Sequence, residues 1–241
     1  MNATNDPILD GLPALLRSKY LETSRQFIPS VQKLKFMGLE TPEGITSEAQ
    51  RLIRTAEQAQ RDWKEIHNTH WRLQADQTAT EGGRLVRSAS AANLKLKSAS
   101  AAWEQSMAAA EERLNQLDRT LTTAAEPPSH AGKASVDAEL RAILRSMPSD
   151  KAADLWRSDP AVRAAAARAP AAASGLLPDS HRAIRSQYLA ETVPDEFAAA
   201  NDLRASIGVA GRAMQTLVNE SSALIDFKSA EALSARSAAA V

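Results

Sequence analysis

Apolar residues follow one another at alternating spacings of four and three over much of this chain. That spacing is the heptad pattern of a helix packed lengthwise against another helix, and we call each such run a seam. The first seam lasts for about four heptads, and Ser47 with Gln50 near its start predicts a capping box. It consists of Ile45, Ala49, Leu52, Ala56, Ala59, Trp63, Ile66, His70 and Leu73.

A second seam lies out of phase with the first and contains one four-residue step between Trp103 and Met107. Gly82 and Gly83 separate the two seams, and each glycine inside a helix costs about 1 kcal/mol relative to alanine. We therefore predict a long antiparallel, coiled-coil-like helical hairpin with its turn near residues 78–84. One continuous, kinked helix is the alternative. The second seam consists of Leu85, Ala89, Ala92, Leu96, Ala99, Trp103, Met107, Ala110, Leu114, Leu117 and Leu121.

Breakers and composition divide the rest of the chain. Asp159 before Pro160 predicts one helix start, and Gly208 with Gly211 indicates the close approach of another backbone near the C-terminus. A third seam there consists of Ala200, Leu203, Ile207, Ala210, Met214, Leu217, Ser221 and Leu224. The predicted parts are short docking helices at 1–44, the hairpin at 45–123, a linker at 124–135, a small orthogonal helical module at 136–192 and a long C-terminal helix at 193–241.

The composition predicts an all-α protein. Aromatic residues make up only 4% of the chain, runs of β-branched residues are missing, and the helix-favouring residues alanine, leucine, glutamine, glutamate and arginine dominate. Many seam positions are alanine, which buries little area, so a bundle or an oligomer is favoured over an isolated hairpin.

Charge and cysteine content narrow the function classes. Lys+Arg and Asp+Glu both number 29 and are mixed along the chain, which argues against a dedicated nucleic-acid binder because such proteins present a basic face. The chain has no cysteine, which excludes disulfides, thiolate catalysis and cysteine-ligated zinc. The sequence carries neither a secretory signal nor an apolar run of about 18 residues, so we expect a cytoplasmic or virion location with no transmembrane segment.

The stretch WKEIHNTHW concentrates the candidate chemistry. Five of its residues fall on one arc of about 140° of a helix: Trp63, Ile66, His67, His70 and Trp71. The two histidines are three apart, a spacing that can place two imidazoles on one metal, but Glu65 points elsewhere on this helix and His130 and His181 lie in distant segments. An aromatic packing or interaction face is therefore favoured over a metal site, and a pH-sensitive interface remains a third interpretation.

A second candidate face carries cations without acids over residues 84–103. Arg84, Arg87, Lys95 and Lys97 are suited to a phosphate backbone or an anionic lipid surface. The alternative, which we favour, is a helix face whose cations meet carboxylates of a neighbouring helix. Since Gly-rich phosphate loops, nucleophile elbows and clustered carboxylates are also missing, we predict a non-enzyme that uses no metal or cofactor.

Residues 140–196 resemble a segment of uncharacterised helical proteins of bacteriophages and prophages. The residues that carry the resemblance are Ala169-Pro170, Ser174-Gly175-Leu176 and Pro194-Asp195-Glu196. The resemblance implies a phage-type origin and no defined activity. The seams predict an oligomer that binds itself and other proteins, and the resemblance suggests that it is a virion-associated or assembly-accessory protein. A nucleic-acid- or membrane-contacting protein, such as one ejected with phage DNA, and an inhibitor of a host enzyme are the alternatives.

Overall fold

The computed structural model describes residues 46–239, and within that range every regular element is an α-helix. The all-α prediction is therefore confirmed, whereas the docking helices predicted at 1–44 lie outside the described residues. In chain order the helices are α1 Ser47–Ala75, α2 Glu81–Ala124, α3 Ala131–Ser146, α4 Ser149–Ser158, α5 Pro160–Ala167, α6 Ala171–Ser174, α7 Pro178–Thr192, α8 Pro194–Leu224 and α9 Phe227–Ala239. In the described part of the chain, none of these helices is long and apolar enough to cross a membrane.

Side-chain caps fix several helix starts. The predicted capping box is wrong: Thr46 is the N-cap of α1 and accepts from the Ala49 amide at 3.3 Å. The Ser47 hydroxyl, one residue later, donates instead to the Glu48 carboxylate. The start of α5 is confirmed, since the Asp159 carboxylate accepts from the amides of its first turn at 2.8 and 3.3 Å. Both caps satisfy amides that lack partners inside the helix.

The described chain divides into two units whose limits differ from the predicted parts. The first unit comprises residues 46–111 and 203–239, and the second is Glu112–Asp202. The predicted linker at 124–135 lies within the second unit. The segment without a helix is shorter than this linker, because α3 already begins at Ala131. The predicted C-terminal helix is two helices, since α8 ends at Leu224 and Asp226 caps α9 by accepting from the Ser229 amide at 2.9 Å.

In the first unit, contacts between α1 and α2 run in opposite order along the two helices. The hydroxyls of Thr55 and Ser106 lie 3.0 Å apart, and Asp76 at the other end of α1 pairs with Arg87. The helices are joined by residues 76–80, so the glycine pair is not in the turn. Gly82 and Gly83 instead belong to the first turn of α2, where Thr80 accepts from the Gly83 amide. A supercoil between these helices stays a prediction.

Two buried positions of α2, Ser88 and Ser106, are not part of the predicted seam. Ser106 is 9% exposed, whereas Trp103 and Met107 are only half-buried. The Ser106 hydroxyl can occupy the seam because it donates to the Ala102 carbonyl at 2.8 Å and meets Thr55. The predicted four-residue step between Trp103 and Met107 is therefore wrong, since a small polar residue interrupts the apolar pattern that located it.

The sequence predicted the close approach of another backbone at Gly208 and Gly211. In the structure, Gly211 of α8 makes room for a side chain instead. A Cβ atom built on Gly211 would lie 3.6 Å from the Trp103 indole of α2, whereas one built on Gly208 would meet only the Arg212 guanidinium of the same helix at 3.6 Å. Close approach at this point is thus an indole packed over a glycine.

We expect Gly211→Leu to destabilise the protein by about 2 kcal/mol, because the larger side chain overlaps the Trp103 indole. Gly208→Leu is the matched control, and there the flexible Arg212 side chain can move. Urea unfolding followed by circular dichroism measures both free energies of unfolding. Equal effects of the two substitutions would contradict the packing of Trp103 on Gly211.

The second unit is built around α5, which packs against α3, α4, α6 and α7. Its alanines Ala165, Ala166 and Ala167 are all inaccessible to solvent. Arg168 at the end of α5 pairs with the buried Asp137 carboxylate of α3 at 3.1 Å and donates to the Tyr188 hydroxyl at 3.2 Å. This network connects α3, α5 and α7 through charged hydrogen bonds, which are stronger than neutral ones.

Candidate interaction surfaces

The histidines and tryptophans of α1 form one contiguous aromatic cluster. The ring centroids of Trp63 and His67 lie 5.6 Å apart, those of His67 and Trp71 6.3 Å, and those of His70 and Trp71 5.2 Å. The Trp71 indole N–H donates to Nε2 of His67 at 3.2 Å. That nitrogen is therefore already used as an acceptor, and a metal would have to displace this hydrogen bond.

The cluster is buried inside the chain. Its members, Trp63, Ile66, His67, His70 and Trp71, are only 2–8% exposed. Among residues 46–239, no group of three potential metal-ligating side chains lies together. The face predicted to interact with partners is thus covered by the protein's own residues, as expected for a seam and not for a free binding surface.

Burial in the cluster changes the protonation of His70. Burial, with a smaller effect of the neighbouring His67, lowers the pKa of His70 from 6.5 to about 4. Its Nδ1 atom has no hydrogen-bond partner among the described residues. His70 is therefore a neutral core residue at pH 7, and protonating it would place a charge in an apolar seam.

Two cations of the second candidate face stabilise the connection between α1 and α2. The Arg84 guanidinium donates to the carbonyls of Asp76 and Ala79, both at 2.9 Å. Arg87 lies 3.7 Å from the Asp76 carboxylate. Both cations thus contact the end of α1 and the connection that follows it, which supports the interpretation that this face meets a neighbouring helix.

Lys95 of α2 forms ion pairs with two carboxylates of α1. Its ammonium contacts the Glu65 carboxylate and lies 3.7 Å from the Asp62 carboxylate. The hydrogen bond and the negative charge of Glu65 raise the pKa of Lys95. Asp62 is only 4% exposed and also accepts from the Gln58 amide at 3.0 Å. The sequence analysis did not identify Asp62 as buried, because a carboxylate next to a seam position is expected to be exposed to solvent.

A groove between α2 and α9 is a concave surface of the first unit. Residues 86–97 of α2 and 227–238 of α9 enclose about 700 Å³. Leu94, on the α2 side, is 70% exposed, and the charged side chains of the groove are Lys97 on α2 and Glu231 on α9. Small residues form much of the lining, including Ala89, Ser90, Ala230, Ser234 and Ala238. The groove thus combines one exposed leucine with a lining of small residues and one charge of each sign.

The second unit presents an apolar stripe on α3, which the sequence did not single out. Val136 is 52% exposed, Ile143 43% and Met147, the residue that caps the helix, 36%. With the half-buried Leu140 they follow one another at spacings of four, three and four, and on a helix they fall within an arc of about 60°. We call these four residues the α3 stripe. Large apolar residues at seam spacing that stay exposed are typical of an interaction surface.

No family model, no curated protein and no solved structure matches this chain. The resemblance of residues 140–196 to phage-encoded helical proteins stays a prediction.

Proposed function

We propose that this chain is a non-enzymatic helical interaction protein that acts in assembly, binding copies of itself and other proteins through helix-to-helix contacts. The observation that carries the proposal is the groove between α2 and α9, where Leu94 stays 70% exposed beside a lining of small residues. A helix entering this groove would bury that leucine and approach closely. The α3 stripe adds a second apolar surface, on the other unit.

The resemblance of residues 140–196 supports a more specific role. We propose a virion-associated or assembly-accessory protein of phage type, located in the cytoplasm or in the virion. Genes for a portal or capsid protein beside this gene would support that role. A gene neighbourhood of unrelated metabolic enzymes would count against it.

The positions of the cations weigh against the nucleic-acid and membrane alternatives. Arg84, Arg87 and Lys95 contact carbonyls or carboxylates of α1 and of the connection that follows it. A phosphate backbone would have to compete with those contacts. The fourth cation of this face, Lys97, lies on the groove between α2 and α9. A partner helix with a carboxylate near Lys97 and a cation near Glu231 suits the groove better than nucleic acid or lipid.

Self-assembly gives the first test of the proposed function. We expect light scattering coupled to size-exclusion chromatography to give a dimer or a larger species at about 50 µM protein, a concentration at which small apolar interfaces associate. Leu94→Glu, which puts a charge into the groove, shows whether the groove takes part in that association. A wild-type monomer at this concentration would contradict the self-assembly that we propose.

A further inference from the structure

One buried imidazole of the first unit has no partner for an added proton. His70 of α1 is 8% exposed, and its Nδ1 atom has no hydrogen-bond partner among the described residues. Its ring stands edge-on to the Trp71 indole, with the ring centroids 5.2 Å apart. A charged imidazole donates from both nitrogens. Protonation would therefore leave a charged N–H without an acceptor in an apolar seam, which is costly.

The charged groups of α1 and α2 around His70 do not stabilise its charged form. The neighbour whose charge acts on His70 is His67, another base. Over residues 84–103, α2 carries four cations and no acid. The nearby cations of α1, Lys64 and Arg72, are exposed. The carboxylates of α1 on either side of His70 already pair with cations of α2: Asp62 and Glu65 with Lys95, and Asp76 with Arg87.

Helices α8 and α9 pack against the same stretch of α2. A Cβ atom on Gly211 would meet Trp103, and one on Gly82 would meet Leu233, so residues 212–232 lie between these two contacts. The pKa of His70 is set by its burial and by His67, so the charged side chains of this segment offer no counter-charge. They are exposed or half-buried and comprise Arg212, Glu220, Asp226, Lys228 and Glu231.

The histidines of the second unit can take up a proton without such a loss. Nε2 of His181 lies 2.7 Å from the Ala169 carbonyl oxygen. Because a carbonyl only accepts, this nitrogen is a donor in the neutral ring and in the charged ring alike. His130 is exposed to solvent. Protonation of histidines therefore destabilises the first unit and not the second.

The two halves of α1 are held by different kinds of contact. The N-terminal half contacts α2 through the hydroxyls of Thr55 and Ser106, which do not titrate in acid. Its buried alanines and Leu52 do not titrate either. The C-terminal half, residues 62–75, carries both histidines of the aromatic cluster and the carboxylates that pair with Lys95. Acid thus weakens the contacts of the C-terminal half and leaves those of the N-terminal half unchanged.

We propose that protonation of His70 releases residues 62–75 of α1 from α2 while the second unit stays folded. Release hydrates the imidazole and exposes the aromatic cluster to solvent. Residues 76–80 join the two helices, so the released segment stays attached to α2 at its far end and returns when the pH rises. The release needs contacts within one chain only and is therefore independent of the proposed assembly function.

The size of the effect follows from the proton affinities of the two states. The pKa of His70 is about 4 in the packed seam, against 6.5 for the hydrated side chain. The released state therefore binds a proton at pH values where the packed state does not. Acidification from pH 7.5 to pH 4.5 raises the ratio of released to packed chains about 70-fold. Protonation of carboxylates near pH 4 acts in the same direction.

Hydrogen exchange of the full chain, read by mass spectrometry, tests the release segment by segment. After correction for the intrinsic exchange rate, amides of residues 62–75 should lose about 70-fold in protection between pH 7.5 and pH 4.5. Amides of α5 and α7 in the second unit should keep theirs. His70→Leu and His70→Gln have no titrating ring and should keep most of the protection of residues 62–75. His130→Leu is the matched control and should behave as wild type.

Three results would overturn the release. Equal loss of protection in α1, α5 and α7 would show that the whole chain unfolds at once. Unchanged protection of residues 62–75 at pH 4.5 would show that the seam holds in acid. Equal loss in wild type and in a folded His70 variant would assign the effect to carboxylates and not to His70. Circular dichroism at pH 7.5 establishes which of the two His70 variants is folded.

Tryptophan fluorescence gives a second, independent measurement. The chain has four tryptophans, so the double variant Trp103→Phe/Trp156→Phe keeps only Trp63 and Trp71, both in the aromatic cluster. Its emission maximum should shift to longer wavelength between pH 6.5 and pH 4.5, as the indoles become hydrated. The same chain with His70→Leu added should shift clearly less. An emission maximum that stays constant down to pH 4.5 would contradict exposure of the cluster.

Discussion

Lowering the pH from about 6.5 to about 4 should cost the protein about 3 kcal/mol through His70 alone. Burial among apolar side chains lowers the pKa of His70 in the folded chain to about 4, against 6.5 for the free side chain. The unfolded chain therefore binds a proton in this range that the folded chain does not. The contribution is fully present above pH 6.5 and is lost progressively as the pH falls towards the folded pKa.

The measurement compares wild type with His70→Leu by urea unfolding at pH 7.0 and pH 4.5. Carboxylates also lose charge in acid, but they do so equally in both proteins, so the difference between the two isolates the histidine. We expect His70→Leu to be at least as stable as wild type at pH 7 and to lose clearly less stability on acidification. His130→Leu, at an exposed position of the other unit, should keep the wild-type pH dependence. Parallel pH profiles of wild type and His70→Leu would refute a neutral, buried His70.

The aromatic cluster could be located from the sequence because its residues obey the seam. Trp63, Ile66 and His70 fall on heptad positions. In the structure each of them is buried, with an exposed fraction of at most 8%. The pattern alone did not settle whether the covering partner was this chain or another protein. That distinction depends on contacts distant in sequence, such as Thr55 with Ser106, which a local pattern does not contain.

Features that break the apolar pattern were missed for a common physical reason. Ser106 and Asp62 are polar, so periodicity assigns them to solvent, but each is buried because a hydrogen bond or an ion pair offsets its desolvation. The α3 stripe was missed for the opposite reason. A second apolar face on a short helix is indistinguishable from core until the neighbouring helices are placed, and then Val136 and Ile143 remain exposed.

We expect Lys95→Met to destabilise the protein by about 2 kcal/mol, because it leaves the Asp62 carboxylate buried without its cation. The Asp62 side chain is only 5% exposed, and Lys95 is its ion-pair partner at 3.7 Å. The other contact to this carboxylate is the Gln58 amide, which is neutral and compensates less. Lys97→Met is the matched control: it removes the same charge two residues away on α2, from an exposed side chain on the groove, and should change stability by less than about 0.5 kcal/mol.

The double variant Asp62→Leu/Lys95→Met separates a buried ion pair from general damage to the packing between α1 and α2. Replacing both charges by apolar side chains removes the desolvation penalty together with the attraction, so it should restore most of the stability lost in Lys95→Met. Urea unfolding of wild type, both single variants and the double variant completes the thermodynamic cycle. A double variant as unstable as the sum of the two single variants would show that the residues act independently. Lys95 would then have no demonstrated structural role. That result would support a role of the face at residues 84–103 in binding an anionic partner.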